Sequence, residues 1–222
     1  ERGLMQESVN TLQLSGVVKL ARKIILGTAL IEGTGAVLLS IRFVPRFGLV
    51  KGIYYGIFHS ISAFCNAGFD LLGCDTPYMS LTGYSADWLV NLVIMSLIVI
   101  GGLGFIVWDD LSRKGLHFKS YMLHTKIVLL TTLALIFGGA LLIGISERDN
   151  LMADMGWGER ILTSLFASVT ARTAGFNTID IASMRPASKL LTIFLMYIGG
   201  SPGSTAGGVK TTTLIVLLLN LG

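Results

Sequence analysis

The sequence predicts an all-α polytopic membrane protein, built from repeated units of spanning helix, short re-entrant helix with loop, and spanning helix. Three observations carry this prediction. The 222 residues are 52% hydrophobic and only 14% charged, against roughly 25% charged in an ordinary soluble domain. Apolar stretches that approach the roughly 17 to 25 residues needed to cross a bilayer alternate with runs too short to do so. The order long, short with loop, long is written twice along the chain.

Residues 24–44 form the first apolar span, with Arg22 and Lys23 before it and Pro45 and Arg46 after it. Residues 52–66 are apolar but short and run into Asn66, Ala67, Gly68, Phe69 and Asp70, so this segment dips into the membrane and returns. A second full span is expected over 88–108, ending at Asp109 and Asp110, and residues 111–126 with Arg113, Lys114 and Lys119 read as a solvent loop. Residues 127–145 make a third span and 146–160 a polar turn. Residues 161–171 are again short and apolar before Arg172, Thr173, Ala174, Gly175, Phe176 and Asn177. From Leu190 a fourth span begins, breaks over 199–213 and resumes over 214–219.

Internal repetition supports this order. Setting Phe69 against Phe176 aligns two Ala-Gly-Phe runs, with Asn66 against Thr173 and Asp70 against Asn177, and both following spans carry Ile-Gly-Gly at 100–102 and 198–200. A single Ala-Gly-Phe is equally a helix end with a C-cap glycine. Two copies, each after a short apolar helix between two spans, favour loops lining a central pore. Non-helical backbone survives at membrane depth only where protein buries it or it faces a wet cavity. A cation that sheds its water there needs a ring of replacement oxygens, which extended backbone carbonyls supply. Gly68 and Gly175 fit such loops because they reach backbone angles closed to other residues, and Phe69 and Phe176 are expected to wedge behind them. Asp70, Asp75 and Asp87, in an outer segment without Lys or Arg, would draw cations to the mouth.

Other features are excluded or left structural. The first 23 residues lack the order of a signal peptide. Cys65 and Cys74 are too few for a disulfide framework and have no metal-ligand spacing. The net charge of +4 includes no dense basic run, so no nucleic-acid partner is expected. Positive charge divides evenly between the two sides, so it does not set the orientation. Residues 203–211 resemble a phosphate-binding Walker loop, but Val209 intervenes before Lys210 and an apolar span precedes it. Glu32, a carboxylate inside the first span, is a functional candidate by default, and fastening a neighbouring helix is the favoured reading. His59 reads as a packed histidine, and the glycines of 101–104 as a close helix contact. Intramembrane polar groups are scattered singly, so an enzyme is not expected.

The stretches Phe58 to Phe69, Thr170 to Asn177 and Gly199 to Lys210 resemble the Trk/Ktr/HKT superfamily of potassium transporters, nearest its bacterial KtrB group. The resemblance covers most of the chain. It implies four helix, pore-loop, helix repeats around one pore in a multi-pass plasma-membrane protein. Residues 1–23 would be a cytoplasmic lead-in from a preceding repeat, 24–110 the second repeat, 111–123 a cytoplasmic linker, and 124–222 a truncated third repeat. It further implies filter carbonyls from Asn66, Ala67, Gly68, Thr173, Ala174 and Gly175, flanked by Cys65, Phe69, Arg172 and Phe176. Gly199, Gly200, Ser201, Pro202, Gly203, Ser204, Thr205, Ala206, Gly207, Gly208, Val209 and Lys210 would form an intramembrane gating loop, to which Lys210 adds repulsion. Arg172, a charge directly before a cation filter, is expected to point away and brace carbonyls behind the loop. Glycine in both filter positions favours potassium over sodium within the family. The only cofactor implied is the potassium ion, and the partners implied are a second copy of the subunit, a cytosolic ring of nucleotide-binding regulatory subunits, and membrane lipid.

Overall fold

A computed structural model describes the backbone of residues 2–74, 79–115 and 117–221, and the side chains of residues 18, 21–73, 79–115, 117–217 and 220. Asp75 and the side chain of Cys74 lie outside the described residues. Helix α1 (Arg2–Phe47) includes the apolar segment Ala21–Phe47, which is long enough to cross a membrane and covers the predicted first span. Helix α2 (Leu49–Phe64) folds back along α1 and ends at the first Ala-Gly-Phe loop. Its 16 residues extend about 24 Å, short of the roughly 30 Å hydrocarbon core, as a re-entrant helix requires.

Helix α3 (Trp88–Leu103) starts at Asp87, whose carboxylate accepts from Leu89 N at 3.0 Å and Val90 N at 3.1 Å and pairs with Arg42 at 3.2 Å. The predicted second span does not run straight to residue 108. Gly104 adopts φ +87°, a conformation L side chains avoid, and helix α4 (Phe105–Lys114) leaves at 96° to α3. The predicted solvent loop shrinks accordingly, because α4 takes its first residues and α5 (Leu123–Glu147) takes its last. Asp110 closes the turn between them, pairing with Lys114 at 2.7 Å and accepting from Met122 N at 2.9 Å.

Helix α5 is the second helix long and apolar enough to span alone. Helix α6 (Trp157–Ala171) is the second short helix, ending at the second Ala-Gly-Phe loop. The predicted fourth span divides into α7 (Pro186–Tyr197) and α8 (Thr211–Leu221), separated by the glycine-rich segment. Among the described residues the fold is all-helical, with one isolated bridge between Ile198 and Val209.

The main core lies where the two units meet. Phe43, Phe64 and Ile94 of the first unit pack with Leu162, Phe166 and Phe176 of the second, all of them buried. His59 is fully buried among these rings, 5.3 Å from Phe43 by centroid. Its ring nitrogens meet Tyr55 O at 2.7 Å and Leu71 N at 3.3 Å, so it is the packed histidine the sequence predicts. Glu32 enters this packing through its main chain, its carbonyl accepting from Ser60 Oγ at 2.6 Å.

Candidate functional site

The two loops share one backbone pattern. Along residues 65–68 and 172–175 the sign of φ alternates, with Asn66 at +53°, Gly68 at +72°, Thr173 at +90° and Gly175 at +95°. Alternation between left-handed and ordinary backbone turns successive peptide groups towards one side. Among the described residues, no hydrogen bond is donated to the carbonyl oxygens of residues 66–68 or 173–175. Five of these six residues are partly or fully exposed, so their free oxygens form a concentration of acceptors open to water or a cation.

The loops also touch. A Cβ on Gly68 would lie 2.0 Å from the Ala174 oxygen, and one on Gly175 would lie 3.6 Å from Gly68 Cα. One hydroxyl holds each loop from behind: Ser62 Oγ donates to Phe69 O and Thr170 Oγ1 to Phe176 O, both at 2.7 Å. The two phenylalanines part company. Phe176 is fully buried beside His59, at a centroid distance of 6.4 Å, whereas Phe69 is 70% exposed. Phe176 thus packs behind the second loop, whereas among the described residues nothing buries Phe69. Cys65 is an exposed free thiol.

Residues 198–210 fold into a compact lobe. Gly199 N donates to Val209 O at 2.9 Å, Val209 N to Tyr197 O at 3.0 Å and Thr211 N to Gly200 O at 3.1 Å. The lobe docks on the broken end of α3, where helix carbonyls lack their usual partners. Ser201 N reaches Gly102 O at 3.0 Å, Thr205 N reaches Gly101 O at 3.2 Å, the Ser201 hydroxyl donates to Leu103 O, and Phe105 N returns a bond to Gly203 O at 3.0 Å. The Lys210 ammonium is turned into the lobe, donating to Ala206 O at 2.8 Å.

Both loops bond this lobe. Thr205 Oγ1 donates to Phe64 O at 2.8 Å and lies 3.1 Å from Asn66 Nδ2. Arg172, buried and without a carboxylate within ion-pair distance among the described residues, donates to Gly199 O at 3.2 Å. The carbonyl it braces belongs to the glycine-rich lobe.

Comparison with known proteins gives the family. Residues 4–221 match the model of the TrkH family, described as a cation transport protein. The chain belongs to the TrkH family of cation transport proteins. It is 46% identical to the potassium/sodium uptake protein NtpJ of Enterococcus hirae, over 99% of this chain and 48% of that protein. It is 41% identical to the Ktr system potassium uptake protein B of Bacillus subtilis, over 100% of this chain and 49% of that protein. The potassium transporter TrkH of Vibrio parahaemolyticus superposes with a TM-score of 0.61 at 25% identity, covering 82% of this chain and 38% of that one. This TrkH-family chain thus spans about half the length of the curated relatives it matches.

The sequence-predicted site residues of this TrkH-family chain come together as two loops in backbone contact above one lobe. Two of the acidic residues expected to attract ions are engaged in structure: Asp70 accepts from Leu72 N at 3.1 Å, and Asp87 caps α3. Sequence reasoning missed Ser62 and Thr170, whose signal was a hydroxyl six or seven residues before each Phe, and it took residues 101–104 for helix packing only. Thr170→Val keeps the side-chain shape but leaves Phe176 O without its donor. It is expected to cost about 1 to 3 kcal/mol, read as a lower melting temperature of the complete protein in detergent, with Thr170→Ser restoring most of it.

Proposed function

We propose that the chain supplies two of the loops of a potassium uptake pore in the plasma membrane. The unpaired carbonyls of residues 66–68 and 173–175, in two loops that touch, are the observation that carries the reading. They offer the fixed oxygens a dehydrated cation needs. The names of the two relatives above, each a potassium uptake protein, support potassium as the ion.

In this reading residues 24–110 and 124–222 are two neighbouring repeats of four, joined by a linker at 111–123, and the other repeats complete the ring. Residues 199–210 obstruct the path beneath the loops, and their attachment to α3 by a few hydrogen bonds suits a part that moves aside. The assembly is a dimer with a cytosolic nucleotide-binding ring, as the family resemblance implies. NtpJ is named for both potassium and sodium, and that name favours a second reading of the same fold, in which sodium permeates or is coupled to potassium.

Growth decides between the readings. The complete gene, expressed in a strain lacking potassium uptake, is expected to restore growth at low potassium, with sodium neither replacing potassium nor being required. Rescue that depends on added sodium favours the second reading, and no rescue by a protein that reaches the membrane rejects both.

A further inference from the structure

The two units carry equivalent grooves on their outer faces. One, of about 660 Å³, lies between α1 and α2, and the other, of about 450 Å³, lies between α5 and α6. The spacing of 107 residues that relates Phe69 to Phe176 also relates their linings: Val37 to Gly144, Ile41 to Arg148 and Ile53 to Arg160. The α5/α6 groove stays open although its unit already packs against α3 of the neighbouring unit. In the contact between these two units, α3 of the first meets α5 and α6 of the second and leaves the groove uncovered.

The two linings differ in charge. Where the first groove has isoleucines, the second has two arginines. Arg160 donates through Nε to Met155 O at 2.8 Å and through Nη2 to Ala153 O at 2.8 Å, and it lies over the ring of Trp157. These bonds use two of its five N–H donors. The Arg148 side chain is 65% exposed, and its contact with Asp149 is a loose 4.0 Å. Two arginines and an exposed Trp157 thus border an otherwise apolar groove at the end of a spanning helix. Tryptophan and arginine are the residues that settle at lipid headgroup level.

We propose that the α5/α6 groove is a binding site for an anionic phospholipid, with one acyl chain along α5 and α6 and the headgroup phosphate between Arg148 and Arg160. The equivalent α1/α2 groove, lacking both arginines, does not discriminate by headgroup. The site does not depend on the ion-uptake reading, and its test does not use transport.

The test is native mass spectrometry of the complete protein in detergent, titrated separately with phosphatidylglycerol and phosphatidylcholine. Preferential retention of phosphatidylglycerol is expected, and Arg148→Gln should weaken it about fivefold, the size of one arginine's attraction to anionic lipid. Because Arg148 is exposed, this variant is expected to fold, and an unchanged melting temperature checks that. Ile41→Gln, at the equivalent place in the other groove, should change nothing. Equal retention of the two lipids, or retention untouched by Arg148→Gln, overturns the proposal. It is also overturned if Arg148→Gln shifts the mass from dimer to monomer, because the face is then a contact between subunits.

Discussion

Gly68→Ser is expected to abolish potassium uptake, and Gly175→Ser to leave a weakened uptake with reduced preference for potassium over sodium. Both glycines have left-handed φ, so any side chain there costs about 1 to 2 kcal/mol in backbone strain alone. Their surroundings separate them. A Cβ at position 68 would sit 2.0 Å from the Ala174 carbonyl oxygen, so the second loop's backbone must move, and that oxygen is one of the acceptors assigned to the ion. A Cβ at position 175 meets nothing nearer than Gly68 Cα at 3.6 Å. The two glycines are equivalent in sequence, yet the first should be far less tolerant. Growth at low potassium with increasing sodium, checked for equal protein in the membrane, measures the order. A milder Gly68→Ser phenotype would contradict the packing of the loops.

Gly199→Ala is expected to raise the maximal rate of potassium uptake severalfold without shifting the potassium concentration that gives half-maximal uptake. The added Cβ would fall 1.7 Å from the Gly207 oxygen, inside the lobe closed by the bonds of Gly199 and Val209. That lobe opens, and its bonds to Gly101, Gly102 and Leu103 loosen with it. The carbonyls assigned to ion binding belong to residues 66–68 and 173–175, so the affinity they set should persist while the obstruction weakens. Flux measured over a range of potassium concentrations separates the two effects. A shifted half-saturation at an unchanged maximal rate would show that the lobe is not an obstruction.

Much of this architecture was legible in the sequence because membrane helices announce themselves by length. The short apolar runs became α2 and α6, and the glycine-rich interruption became the lobe between α7 and α8. The turn at Gly104 was not legible, since the apolar run continues through Trp108 and one glycine among several does not mark a break. The fate of Phe69 was illegible for a different reason, because burial is decided by what packs around a residue, and the two Ala-Gly-Phe runs are the same in sequence. Arg172 was expected to brace carbonyls behind its own loop, and it donates instead to a carbonyl of the glycine-rich lobe. Its target was hidden, because Gly199 lies 27 residues away and only the fold joins them. The two Ile-Gly-Gly runs showed as a repeat, but a repeat does not reveal that Gly102 O would accept from Ser201 N beside them.

The most direct test of the central claim is anomalous diffraction from crystals of the complete protein grown with rubidium in place of potassium. The account predicts a rubidium peak between the two loops, within coordination distance of the carbonyl oxygens of residues 66–68 and 173–175, that weakens when sodium replaces rubidium. Rubidium bound elsewhere, with these carbonyls facing only water or protein, would contradict it.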